Sequence, residues 1–338
     1  MSILLTGGAG YIGSHVAIDL VAAGEQVIVI DDLSIGFAWA LPHEVTLIIG
    51  DYGDAALLGE LLSRYQVDTI IHLAAKIIAP ESVTDPLDYY ENNAAKTVTL
   101  LQQAVKASVP HFILASSAAV YGVQNLSSIS EEEPTNPINP YGRTKLINEW
   151  MLEDTARAHQ MTFVALRFFN ACGADPYGRA GQNKWDAPHL INIAVQAALG
   201  RRSCVDVYGT DYPTPDGSCI RDYIHVTDLA HANMAALKYL RLGGASTTCN
   251  IGYGHGYSVL EVINTVKRVS GSEFKVRLLE RRAGDPSIVV ASSGLAQKRL
   301  GWMPRHADLE DIIRHTLAWE RRSNNRLPKI NVTRAEAL

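Results

Sequence analysis

The chain has 338 residues, 47% hydrophobic and 19% charged, which excludes a disordered polymer and leaves room for one large α/β domain with a smaller cap. A formal net charge of −5 excludes any general attraction to nucleic acid or an anionic membrane, so an anionic ligand has to be met by local cationic groups. The four cysteines, Cys172, Cys204, Cys219 and Cys249, show no C-x-x-C spacing, so buried free thiols are expected rather than a metal site or a disulfide framework. No basic segment precedes the N-terminal apolar run, and no apolar run approaches the roughly 18 residues of a membrane span, so a cytoplasmic location is expected.

In chain order, strand-sized apolar runs at 3–5, 27–30, 45–49, 69–73, 112–115 and 163–166 alternate with helix-length amphipathic stretches at 12–23, 55–65, 89–107 and 144–159. This rhythm predicts a Rossmann-type, doubly wound parallel sheet over residues 1–168. After Leu166 the rhythm breaks. Gly-, Pro- and polar-rich stretches at 170–188 and 209–222 predict ligand-side loops. Amphipathic segments at 227–241, 260–269 and 309–321 are expected in a smaller mixed α/β substrate cap over 169–323, with later segments free to return to the sheet and a polar tail at 324–338.

The first strand runs straight into Gly7-Gly8-Ala9-Gly10-Tyr11-Ile12-Gly13 and then a helix, the context that gives a glycine fingerprint its meaning. Gly7 and Gly10 let backbone approach a pyrophosphate at the helix N-terminus, and Gly13 allows close helix packing; Tyr11 and Ile12 fall inside the same cofactor site. The next strand ends in Asp31-Asp32, whose carboxylates accept from ribose hydroxyls and repel a 2′-phosphate, so the expected cofactor is NAD rather than NADP. Further on, Ser116-Ser117 places hydroxyls at a strand end. Tyr141-Gly142-Arg143-Thr144-Lys145 then sets a phenol and an ammonium on one helix face.

Glycine fingerprint, acidic strand end, serine and Tyr/Lys pair, in this order, resemble the extended short-chain dehydrogenase/reductase family from Ile3 to about Trp319. The resemblance implies that Tyr141 is the base, that Lys145 holds the nicotinamide ribose and lowers the phenol pKa, and that Ser117 hydrogen-bonds the reacting sugar hydroxyl. It implies that Asn93, Ser116 and Phe168 line the NAD site, that Asp51 and Tyr52 flank adenine, and that Leu73, Ala74 and Ala75 lie beneath the pyrophosphate and ribose. Bringing a phenol from about 10 towards neutrality takes roughly 3 units, or about 4 kcal/mol, a task for Lys145 and the nicotinium charge together.

The second half narrows the resemblance. The runs 167–176, 189–191, 208–212, 216–226 and 281–286 resemble the UDP-glucose 4-epimerase branch of that family. That implies inversion of C4 of a UDP-sugar substrate, interconverting UDP-glucose and UDP-galactose through transient oxidation with tightly bound NAD. By the same likeness Asn170, His189, Leu190, Val207 and Tyr223 line the substrate site, and Tyr208 flanks uracil. Arg221 and Arg282 clamp the diphosphate, Asp285 binds the uridine ribose and Val289 lies near the sugar C2 group. Arginine forks suit phosphate oxygens. Ala118-Ala119 stand where a dehydratase of this family carries an acid pair, which disfavours elimination. A homodimer is implied, through helix faces at 87–107 and 143–157, and neither a metal, a nucleic acid nor a membrane partner is expected. The loop at 181–187, Asn192 in place of proline and Ser292 in place of aspartate depart from the pattern. They keep open 4-epimerisation of UDP-N-acetylhexosamines or UDP-pentoses; from another class stands a non-catalytic NAD-binding sensor, against which Ser117, Tyr141 and Lys145 together argue.

Overall fold

The elements follow from where the apolar residues fall. In the computed structural model, which describes residues 2–323 except 125, 185 and 283, the first half runs β1 (Ser2–Thr6), α1 (Tyr11–Ala22), β2 (Gln26–Asp31), β3 (Thr46–Ile49), α2 (Ala55–Arg64) and β4 (Val67–His72). It continues with α3 (Ala79–Thr84), α4 (Pro86–Tyr90), a π-turn (Glu91–Ala95), α5 (Lys96–Lys106), β5 (His111–Ser117), a 3-10 turn (Ala118–Tyr121), α6 (Pro140–Ala158) and β6 (Thr162–Phe168). The second half holds β7 (Asn170–Cys172), α7 (Leu190–Ala198), β8 (Cys204–Tyr208), β9 (Ile220–Arg221), β10 (Tyr223–His225), α8 (Val226–Arg241) and β11 (Thr247–Ile251). It closes with β12 (Tyr257–Ser258), α9 (Val259–Ser270), β13 (Lys275–Leu279), β14 (Ile288–Val289), α10 (Gly294–Leu300) and α11 (Leu309–Ser323). The polar tail expected at 324–338, with Trp185 and Ala283 of the segments named above, lies outside the described residues.

Among the described residues, seven strands form one sheet in the order β11-β6-β5-β4-β1-β2-β3, every pair parallel. Side chains alternate across it. Leu4, Ile28, Ile30, Ile70, Phe112, Leu114 and Ala165 pack against α2, α5 and α6. Ile3, Leu5, Val27, Val29, Ile71, Ile113 and Leu166 pack against α1 and α8. Burial on both faces is why these strands read as continuous apolar runs.

Two expectations are corrected. The helix expected in the cap at 227–241 is α8, whose Leu229, Ala232, Ala236, Leu237 and Leu240 close the sheet's core beside α1. Its C-terminal Arg241 is tied down by Asp68 at 3.0 Å and Glu25 at 2.6 Å. An amphipathic pattern specifies a buried stripe but not the layer that the stripe covers. The cysteines carry no disulfide, but only Cys172, Cys219 and Cys249 are buried; Cys204 is half-buried.

What stands over the carboxyl edge is smaller. The cap has its own core, in which Ile191 and Val195 of α7, Val262 and Val266 of α9 and Ile312 and Ile313 of α11 meet Val205 and Val207 of β8. Its strands pair in short sheets, β8 with β13 and β9 between β12 and β14. Capping at α9 is local: the Ser258 hydroxyl accepts from the Glu261 N–H at 3.0 Å while the Glu261 carboxylate accepts from the Ser258 N–H at 2.6 Å.

Candidate active site

The coenzyme end is made by close backbone approach. Gly7 leaves β1 with φ +69°, and a Cβ there would lie 2.7 Å from the Ala74 backbone. A Cβ at Gly13 would lie 2.2 Å from the Gly7 carbonyl oxygen, so the first turn of α1 sits directly on the loop. Gly10 is the N-cap of α1, without a side-chain cap and with no acid in the first turn. Free N–H groups at Tyr11, Ile12 and Gly13 and a positive helix end suit a pyrophosphate. The Tyr11 hydroxyl is already committed: it donates to the Gly173 carbonyl at 2.6 Å, pinning the segment that enters the cap.

The two acids at the end of β2 divide their work. Asp31 is buried and accepts from the N–H groups of Ala9 and Leu33, both at 2.9 Å, so it clamps the glycine loop. Burial pushes its carboxyl up and those N–H groups pull it back. Asp32 is exposed, with one oxygen taken by Ser34, and is the carboxylate left to face a ribose. Leu33 holds a left-handed φ of 58° to make this turn. No lysine or arginine stands between Asp31 and Phe37 to welcome a 2′-phosphate. These residues fit NAD.

Beyond them, Asp51 bonds the Gly53 N–H at 2.7 Å and Lys96 at 2.6 Å, while the buried Tyr52 donates to the Asn92 carbonyl. The loop after β4 is laced down by Leu73 N–H to the Thr6 carbonyl at 3.2 Å and Ala74 N–H to the Thr6 hydroxyl at 3.3 Å; Ala75 follows on the same loop. Asn93, on the π-turn, is spent on structure: it accepts from Lys76 N–H at 2.8 Å and donates to the Lys76 carbonyl at 2.9 Å and to Thr144 at 3.2 Å.

The reacting constellation lies where β5 meets α6. The Ser117 hydroxyl accepts from the Ala119 N–H at 3.1 Å, capping the 3-10 turn. Asn139 caps α6 by accepting from the Gly142 N–H at 2.8 Å, with Pro140 in the first turn. A Cβ at Gly142 would lie 2.6 Å from the Ala119 carbonyl oxygen, so only glycine lets α6 dock on the serine turn. The Ser117 hydroxyl lowers the pKa of the Tyr141 phenol against a larger upward push from burial. Lys145 Nζ lies 6.0 Å from the Tyr141 ring centroid and donates to the Ala115 carbonyl at 2.8 Å. Burial lowers Lys145 to about 8, with Glu149 opposing the fall. The expected depression of the phenol by Lys145 is therefore not a property of the chain alone.

A buried network behind this triad was missed in the sequence. Glu149 takes both forks of Arg167, at 3.0 and 2.7 Å, and accepts from the Ser116 hydroxyl. Arg167 also donates to the Tyr121 hydroxyl at 2.7 Å, which donates to Asn250 at 2.8 Å. Glu149 follows Lys145 by one further helical turn, a spacing that could have found it.

On the cap side, Arg282 lies 4.6 Å over the Tyr208 ring and bonds Asp285 at 2.8 Å, uniting three expected substrate residues. Arg221 on β9 is in register with Val289 on β14, and Val289 packs with Ala118 against the cluster around Tyr121 and Leu146. Asn170 begins β7 and is exposed, His189 precedes α7 as its half-buried N-cap, and Leu190 is its first residue. Phe168 is buried in register with Ser117. The Val207 side chain is buried in the cap core, because on β8 the inward side alternates and falls to Val207, leaving Tyr208 outward, and the Tyr223 side chain of β10 is buried in the same core.

Fold and site together define a dinucleotide-dependent α/β enzyme with a tyrosine–lysine–serine centre. A model of the NAD dependent epimerase/dehydratase family matches residues 3–252, and the chain belongs to that family. It is 50% identical over 319 residues to a UDP-glucose 4-epimerase of Azospirillum brasilense, covering 94% of this chain and 92% of that one. Among solved structures, the UDP-glucose 4-epimerase from Brucella ovis in complex with NAD matches with TM-score 0.91 and 44% identity, over 94% of this chain and 97% of that one. The enzyme from Bifidobacterium longum in complex with NAD+ and UDP matches with TM-score 0.91 and 36% identity, over 97% and 100%.

Proposed function

We infer that the chain is an NAD-dependent UDP-sugar 4-epimerase that interconverts UDP-glucose and UDP-galactose. The observation that carries the reading is Lys145 Nζ 6.0 Å from the Tyr141 ring, with the strand end of Ser117 beside them, in a chain half identical to a UDP-glucose 4-epimerase along nearly its whole length. Bound NAD supplies the oxidant at C4 and returns the same electron pair. Tyr141 takes the O4 proton and later restores it, Ser117 orients that oxygen, and Lys145 offers positive charge to the phenolate as it forms. Arg221, Arg282, Tyr208 and Asp285 grip the UDP end, which leaves the sugar free to turn over between the two hydride transfers. Asp32 and the first turn of α1 hold the coenzyme.

The purified protein is expected to carry NAD and to convert UDP-galactose to UDP-glucose with no coenzyme added. Bound NAD without turnover of any UDP-sugar would instead support the sensor reading. We also propose a cytoplasmic homodimer. Support comes from the exposed apolar side chains Val83, Leu87, Val98 and Trp150 on α3, α4, α5 and α6, helices of which α6 touches the other three, and from the free thiols. Light scattering coupled to gel filtration tests the assembly. Among the described residues, no helix is long and apolar enough to cross a membrane.

A further inference from the structure

We propose that Glu149 is a positioning residue for the epimerisation centre, fixing the Ala115–Ser117 strand end against α6 and presenting to Lys145 a negative charge that Arg167 sets. The proposal rests on the epimerase reading for its activity arm only. Three observations carry it.

First, the same carboxylate joins the elements that supply the triad. Glu149 sits on α6, two helical turns from Tyr141 and one from Lys145, and accepts from Ser116 of β5, the neighbour of Ser117. Lys145 closes the other link by donating to the Ala115 carbonyl at 2.8 Å. The gap between phenol and serine hydroxyl is therefore spanned by two side chains from one helix face to one strand end.

Second, both partners of the ion pair are buried: the Arg167 and Glu149 side chains are 9% and 8% exposed. A buried pair of this kind is weak evidence for stability, because desolvation offsets much of the attraction. A role in setting a local field accounts for its place better than a contribution to folding.

Third, the charges facing Lys145 leave Glu149 without a rival. Its own helix presents Tyr141 and Glu149 and β4 presents His72, while Arg167 of β6 bears on Lys145 through Glu149, with which it pairs. Tyr121 and Glu131 address Arg167 from the far side, and Asn250 holds Tyr121. His72, held between Thr6 at 2.7 Å and Thr97 at 3.1 Å, is kept neutral by burial with its pKa near 3. Glu149 is thus the negative group that opposes loss of the Lys145 proton, and Arg167 is the positive group that limits it.

The pair predicts opposite signs for its two halves. In the NAD-loaded holoenzyme, Glu149→Gln lowers the Lys145 pKa, so the alkaline limb of the kcat profile moves down by about one pH unit. With less ammonium beneath it the phenol is harder to ionise, so phenolate absorbance, taken as the difference from the matching Tyr141→Phe chain, appears at higher pH. Arg167→Gln leaves Glu149 unneutralised and moves both features the other way, by about half a unit. The phenolate titration needs no turnover, so it reads the proposal even where the substrate assignment fails. Limbs that stay in place while activity or melting temperature falls equally at all pH values would mean that the pair only holds the fold, and would overturn the proposal. So would shifts of the same sign in both variants. If one variant does not fold, the other decides by its sign; if neither folds, the pair is a fold element and the proposal is lost.

Discussion

The two ends of the site are built from different material. At the coenzyme end the work is done by main chain: Gly7 and Gly13 allow contacts that a Cβ would close to 2.7 and 2.2 Å, and Asp31 and Asn93 spend their side chains on the backbone of Ala9, Leu33 and Lys76. At the end proposed for UDP, long side chains stand in the loops after β8 and β13, with Arg282 paired to Asp285 and Arg281 to Asp211 near the surface. Backbone donors are fixed by the fold itself, whereas an arginine must give up rotamers and a present partner before it meets a phosphate. The contrast suits a coenzyme that stays and a substrate that comes and goes.

Three substitutions sharpen or break this contrast. Tyr141→Phe, at the junction of the two ends, is expected to lower kcat about a thousandfold while bound NAD, read by absorbance after denaturation, stays near stoichiometric. A variant retaining a tenth of the activity would remove the phenol from its assigned role. Gly13→Ala drives a methyl into the Gly7 carbonyl and is expected to cut the NAD copurified with the chain at least about tenfold, since the pyrophosphate seat deforms. Full NAD content in that protein would show that backbone contact does not hold the coenzyme. Arg282→Met is expected to raise KM for UDP-galactose about tenfold with kcat nearly unchanged, the signature of uniform binding. A matching fall in kcat would mean that the arginine acts on the reacting sugar and not on the diphosphate alone.

The six strands from β1 to β6 were legible because most of them are buried on both faces and so announce themselves as apolar runs, and because glycines and acids fall at the sheet's carboxyl edge; β11, with two threonines and an asparagine in five residues, carries no such run. The grouping of Tyr141, Lys145 and Ser117 was legible because the first two lie on one helix and the third ends one strand. The cap was not. Its pairings join β8 to β13 and β9 to β12 across long stretches of chain, and strands of two residues such as β9 and β12 carry no period to read. Val207 and Tyr208 show the cost: without a known register the inward and outward members of the alternation could not be told apart. Arg167 and Glu149 were hidden for another reason, since a buried ion pair and a solvated one look the same in sequence.

The sheet takes its last strand, β11, from far downstream of the strand it borders, and α8, with α10 behind it, covers the apolar face beside α1. On a ribosome, every residue of the glycine loop and the tyrosine–lysine pair emerges while β6 still has an open edge and that face is bare. A nascent chain halted before Val226 thus holds Ser117, Tyr141 and Lys145 and no finished floor to set them on. Synthesis of the second half, which contributes no member of the reacting trio, is what turns the first half into a catalyst.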